Sequence, residues 1–310
     1  RVASFRPMIP RGRYAPSPTG TTHLGNASTA LLAWLSVRAA SGPYVVRLED
    51  LDRPRVVAGS AEGILRDLDW LGLDWDEGPD RGGPYAPYVQ SERGGPYAAA
   101  FETLRAAGLI YPCFCSRRDI QSAASAPQSP GDEALYPGTC RDLPPDEVAA
   151  RVASGRAHAW RFRVEPAAVA PFTDRIHGRY EAPPGSIGDF VVRRADRVPA
   201  YQLAVVVDDI AMKIDEVVRG EDLLASTVRQ LLLYRALGAT PPAFAHVPIL
   251  LGADGVRLSK RHQGATLREL REAGESAASI VGHLAHQHGL RPKPEPIRAR
   301  QLVAGFDLGI

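Results

Sequence analysis

An α/β fold built on a mainly parallel sheet is the architecture this sequence predicts, and three observations carry the prediction. Residues 11–50 read as strand, Pro- and Gly-punctuated turn, helix and strand, the size of one right-handed βαβ unit. A second α/β stretch follows far downstream, from "DFVVRR" through "STVRQLLLYRALG". Between the two lies a segment holding all three cysteines of the 310-residue chain. Together these predict a Rossmann-type nucleotide-binding sheet interrupted by an insertion. The expected boundaries are residues 1–107 for the first half of the catalytic domain and 108–185 for the insertion. Residues 186–240 form the second half, and 241–310 a loop followed by a short, mainly helical C-terminal region.

Each element rests on a local pattern. "RGRYAP" reads as a short strand, "SPTGTTHLG" as a turn, and "NASTALLAWLSVRAA" as a helix rich in strong helix formers. "PYVVRLED" reads as a β-rich run with apolar Tyr44, Val45, Val46 and Leu48. Helical spacing recurs over 60–71 and 97–107. After the first two cysteines, residues 122–132 are rich in Ser, Ala, Pro and Gly and are expected to be a surface loop. "HAWRFRV" reads as an exposed strand; "PAYQLAVVVDDIAM" and "DEVVRGED" read as strands or helix starts.

Composition excludes several classes. At 45% hydrophobic and 23% charged residues, the chain can bury a core without disulfides, and three cysteines are too few for a secreted scaffold. The longest apolar runs fall far short of the roughly 20 residues of a membrane-spanning helix, so no membrane partner and a cytoplasmic location are expected. A net charge of +2 does not announce a nucleic-acid binder, although basic clusters stand at 257–271 and 291–300.

The chemistry starts at the first turn. His23 opens a helix at the carboxyl end of a strand, where unpaired helix N–H groups and a partial positive charge favour an anion. Neither a Walker loop nor a G-x-G-x-x-G fingerprint is present. Taken singly, His23 is an ordinary histidine and "RLSKR" at 257–261 a solvated basic turn. Taken together, His23 and Lys260 can neutralise charge on a triphosphate while an acyl oxygen attacks its α-phosphorus.

"RYAPSPTGTTHLGN" and "RLSKR" resemble the two signature segments of class I aminoacyl-tRNA synthetases, the first being similar to the glutamyl subgroup. The resemblance extends through "RLEDLDRPR" and "VVDDIAMKIDEVVRGEDLLASTVRQ", covering roughly residues 11–265. Asn26 stands where many class I enzymes have a second histidine. The resemblance implies that His23, Gly25, Asn26, Ser259 and Lys260 bind ATP, used with Mg²⁺, and that His23 and Lys260 are catalytic. It further implies a glutamate site formed by Arg13, Tyr14, Ala15, Pro16, Ser17, Glu49, Tyr201 and Arg219. That set suits the ligand, because free glutamate carries two carboxylates and one ammonium and needs two cations and an anion. Which arginine takes which carboxylate is left open. "LEDLD" also suits a Mg²⁺ diad, and Arg47 with Glu49 a surface ion pair; the resemblance instead assigns Glu49 to the ammonium.

Cys113, Cys115 and Cys140 can hold a structural Zn²⁺ if a fourth donor exists, the alternative being three reduced thiols without metal. By resemblance to truncated glutamyl-type enzymes, the fourth ligand is Tyr136. The same truncated paralogues, which lack a helical anticodon reader, imply an expected monomer whose partners are L-glutamate, ATP and the anticodon stem-loop of tRNA(Asp) bearing queuosine. Val205, where full-length enzymes have asparagine, favours them. A tRNA(Glu)-charging fragment and a non-catalytic binding module are the rival readings.

Overall fold

In the computed structural model, residues 9–116, 118–120, 135–250 and 266–308 are described. The first unit forms as its pattern demands, with β1 (Gly12–Tyr14), α1 (Leu24–Ala39) and β2 (Tyr44–Val46). Gly12 allows α1 to lie close against β1, since a Cβ there would come within 2.4 Å of Val37 Cγ2. α2 (Ser60–Leu71) and α3 (Gly94–Ala106) follow. After β3 (Ile110–Cys113) come α4 (Pro145–Ala153), β4 (Ala159–Phe162), β5 (Phe172–Asp174), β6 (Gly178–Tyr180) and β7 (Phe190–Arg193). The chain then forms α5 (Tyr201–Ala211), β8 (Glu216–Gly220), α6 (Leu224–Ala236) and β9 (Ala243–Val247). α7 (Leu267–Glu272) and α8 (Ala277–Gln287) are the C-terminal helices.

The main sheet has the order β2-β1-β8-β9-β5-β6, parallel except for the β5–β6 hairpin at one edge. Alternation of side chains along these strands builds two cores. Val46, Val218 and Ala245 meet α1, α2 and α8 on one face, while Val45, Val217 and Phe244 meet α3, α5 and α6 on the other. A three-layer α/β/α sandwich results.

A separate antiparallel sheet, β3-β4-β7, carries Cys113 at the end of its first strand, with Cys115 just beyond it and Cys140 in a later turn. Its strands cross the boundary expected at residue 185: β5 and β6 return to the main sheet, whereas β7, beyond that boundary, completes the small one. The strand read as exposed, β4, is instead the centre of the small sheet, with Arg161 and Phe162 buried. The Val205–Val207 run lies in a helix despite its β propensity. Leu203, Val206, Val207 and Ile210 fall at helical spacing on the face that packs in the second core, and tertiary burial outweighs local preference. No helix among the described residues is long and apolar enough to cross a membrane.

Candidate active site

Backbone pairing past the ends of β1 and β2 assembles the first half of the site. Arg47 N–H donates to the Tyr14 carbonyl at 3.0 Å and Glu49 N–H to that of Pro16 at 2.9 Å. Arg13, Tyr14, Ala15, Pro16 and Ser17 are thereby aligned with Arg47 and Glu49; Ser17 is exposed, Arg13 and Tyr14 buried. The Asn26 side chain hydrogen-bonds the Tyr14 hydroxyl, tying the first turn of α1 to β1. His23 is the N-cap of α1, with no side-chain cap hydrogen bond, and the first turn of the helix, which includes Gly25, holds no acidic residue.

Arg47 is fully buried, so its pairing with Glu49 is not the surface contact that the sequence permitted. Its Nη1 donates to Asp209 at 2.6 Å, Nη2 to Glu49 at 3.0 Å, and Nε lies 3.6 Å from Asp208. Burial raises the Glu49 carboxyl above its ordinary range, an effect that Arg47 and Arg13 oppose. Asp208 also accepts from Arg93 at 2.6 Å, Gln90 at 2.8 Å and the Tyr97 hydroxyl at 2.8 Å. Arg13 Nε stands 3.6 Å from Asp209. Three arginines are therefore matched by carboxylates.

Arg219 is different. It is 4% exposed, yet its guanidinium is bonded by neutral groups, His246 Nε2 at 3.0 Å and Thr227 Oγ1 at 2.7 Å. It forms no ion pair among the described residues, and its Nη1 is buried without a partner there. Burial, and after it the neighbouring Arg13 charge, lower its pKa, while Tyr201 and Asp209 oppose them. Tyr201 opens α5 with 40% of its surface accessible, and it is electrostatically coupled to Arg219, Glu49 and Arg13. The expected residues Arg13, Glu49, Tyr201 and Arg219 thus share one charged neighbourhood. Arg219 has no carboxylate in direct contact among the described residues, which leaves its Nη1 able to meet a ligand carboxylate.

Ser259 and Lys260 lie outside the described residues, as does the expected loop at 122–132. Further along the chain, Thr266 forms an antiparallel bridge with His23, and Leu267 N–H donates to the Thr22 carbonyl at 2.9 Å.

Several residues of the site are absent from the sequence reading: Asp208 and Asp209 as individual partners, His246, Asp174, Thr227 and Tyr234. The Tyr234 hydroxyl is buried without a hydrogen-bond partner among the described residues and is coupled to Asp209 and Arg13. A signal did exist. Thr227, Gln230 and Tyr234 recur at helical spacing among the buried residues of an amphipathic helix.

In the small sheet, the sulfurs of Cys113, Cys115 and Cys140 lie within 4.8 Å of one another. The Tyr136 hydroxyl is 3.4 Å from the Cys113 sulfur and 3.9 Å from that of Cys115. Burial and the adjacent Cys140 and Cys113 thiols push the Cys115 thiol up to about 11. Three sulfurs and one oxygen form a set that fits a tetrahedral metal.

Residues 11–292 match the model of the catalytic domain of class I tRNA synthetases of the E and Q type. The chain is 55% identical over 298 residues to the glutamyl-Q tRNA(Asp) synthetase of Symbiobacterium thermophilum, spanning 96% of this chain and 92% of that protein. It is 54% identical over 295 residues to the enzyme of the same name from Nitratidesulfovibrio vulgaris, spanning 94% and 90%. The crystal structure of a glutamate tRNA ligase from Elizabethkingia meningosepticum in complex with its amino acid superposes with a TM-score of 0.85 at 31% identity, covering 97% of this chain and 65% of that one. The chain accordingly belongs to the class I tRNA synthetases of the E and Q type, a family of ligases, and within them groups with the glutamyl-Q tRNA(Asp) synthetases.

Proposed function

We propose that the chain activates L-glutamate with ATP to glutamyl adenylate and transfers the glutamyl group to queuosine at the wobble position of tRNA(Asp). The observation that carries the amino-acid assignment is the charge inventory of the pocket. Arg13, Arg47 and Arg93 have carboxylate partners, and Arg219 has none among the described residues. Glutamate, with two carboxylates and one ammonium, supplies the direct carboxylate partner that Arg219 lacks. Glutamine is neutral overall and leaves Arg219 buried and unmatched, a penalty of several kcal/mol by the usual cost of such a charge.

In this reading Glu49 holds the ammonium, while Arg13, Tyr201 and Arg219, with the 14–17 segment, hold the carboxylates. The N-terminus of α1, with His23, Gly25 and Asn26, receives the phosphates, and Ser259 and Lys260 complete that site. Bound Mg²⁺ would shield the triphosphate charge. The chain's own residues orient the α-carboxylate for attack on the α-phosphorus and stabilise the charge that moves to pyrophosphate. In the insertion, Cys113, Cys115, Tyr136 and Cys140 would hold Zn²⁺ as a closed set that contributes folding energy.

The acceptor assignment is supported by the 55% identity to the Symbiobacterium glutamyl-Q tRNA(Asp) synthetase, against 31% to the Elizabethkingia glutamate tRNA ligase. Transfer of radiolabelled glutamate to queuosine-bearing tRNA(Asp), followed by nuclease mapping, tests it. Label in the anticodon fragment is expected. Label on the terminal adenosine would assign the chain to ordinary tRNA charging, and pyrophosphate exchange that is equal for glutamine and glutamate would overturn the amino-acid assignment.

A further inference from the structure

We propose that His246 is a positioning residue that keeps the charge of Arg219 available to a substrate carboxylate, with Asp174 fixing its tautomer. Three adjacent strands of the sheet make the arrangement. Arg219 on β8 lies opposite His246 on β9, and β9 in turn pairs with β5, which ends in Asp174. The Asp174 Oδ2 is 2.6 Å from His246 Nδ1, and both residues are buried. On the other edge of the ring, Arg219 Nε donates to Nε2 at 3.0 Å. A guanidinium nitrogen can only donate, so Nε2 must be the unprotonated acceptor and Nδ1 must carry the hydrogen. Asp174 is itself held by the backbone N–H groups of Ile176 at 2.9 Å and His177 at 3.0 Å, so the whole chain of bonds is anchored to β5 and its turn.

The chemistry of this choice is specific. A carboxylate at position 246 would pair with Arg219 and remove its need for a ligand anion. An aliphatic residue would leave Nε buried without an acceptor. A neutral imidazole accepts the hydrogen bond and adds no charge beside the guanidinium, while the Asp174 carboxylate acts through the ring. Thr227, from α6, takes Nη2 with another neutral oxygen. Two of the three guanidinium nitrogens are thus held, and Nη1, the one without a partner among the described residues, is left to meet the ligand.

The inference rests on the reading that Arg219 binds glutamate, and the experiment separates the two. ATP–pyrophosphate exchange is measured for the full chain and for Arg219→Ala, His246→Ala and His246→Gln, varying glutamate and ATP independently. His246→Ala should raise the KM for glutamate on the order of 10- to 100-fold, the range of a hydrogen bond to a charged group, with the KM for ATP within about twofold. Gln, whose Oε1 can accept in place of Nε2, should restore most of that loss. If Arg219→Ala raises the glutamate KM and His246→Ala does not, or if Ala and Gln are equally impaired towards both substrates, the positioning role is overturned. If Arg219→Ala leaves the glutamate KM unchanged, the underlying reading fails and the proposal with it. Should His246→Ala not fold, the ¹⁵N shifts of the histidine in the unaltered protein at neutral pH decide: a neutral ring protonated at Nδ1 is expected, and an imidazolium or an Nε2–H tautomer would overturn it.

Discussion

The backbone of His23 pairs with that of Thr266 in an isolated antiparallel bridge, joining the start of α1 to the cap of α7. Thr266 is held in turn by a capping box, its hydroxyl accepting from Glu269 N–H at 3.2 Å while Glu269 accepts from Thr266 N–H at 2.8 Å. The helix start proposed to receive phosphates is therefore tied to the region that follows Ser259 and Lys260 in the chain.

From this tie comes a first expectation. Lys260→Ala should slow adenylate formation by on the order of 10² to 10³, the usual effect of removing one charge stabiliser of a transition state, with a much smaller change in glutamate affinity. Single-turnover activation kinetics measure both. An unaltered activation rate would reduce the 257–261 segment to a basic turn.

Asp208 is a stability determinant beneath the pocket. It is fully buried and bonds Arg93, Gln90 and Tyr97. Asp208→Ala should destabilise the fold by about 3–5 kcal/mol, because it strands buried cations and a phenol without an acceptor. Urea unfolding measures this; a loss below about 1 kcal/mol would show that water or repacking replaces the carboxylate.

Stability should also carry the signature of His246. Burial and the adjacent Arg219 charge depress its pKa from 6.5 to about 4, although Asp174 opposes them. The unfolded chain then takes up a proton first as pH falls through 6.5, and the folded state does so only near 4. Stability should be constant with respect to this residue above about pH 7, decline between 6.5 and 4, and level off below, by on the order of 3 kcal/mol in all. Denaturation across that window, compared with His246→Gln, isolates the contribution. Parallel pH profiles for the two proteins would contradict it.

For the insertion, protein purified without chelator should contain about one Zn²⁺ per chain, and Cys140→Ser should lose it. Because such a site contributes folding energy to the small sheet alone, removal should increase amide exchange in β3, β4 and α4 while the main sheet keeps its protection. Absence of zinc from the unaltered protein would remove the metal reading.

Family resemblance named Arg13, Glu49, Tyr201 and Arg219; what the sequence by itself determined is the run of short-range patterns: the strand, turn and helix at residues 12–39, the helices at 60–71 and 224–236, and the cysteine cluster. Each is legible because propensity, spacing and turn chemistry act within a few residues. Only the tertiary structure decided that Arg47 is buried among Glu49, Asp208 and Asp209, that β5 and β6 return to the main sheet, and that Asp174, His246 and Arg219 stand side by side on three strands. Those facts depend on strand order and on desolvation. Neither has a local signal, since a buried arginine and an exposed one are written with the same letter, and the cost of burial appears only when distant strands close over the charge.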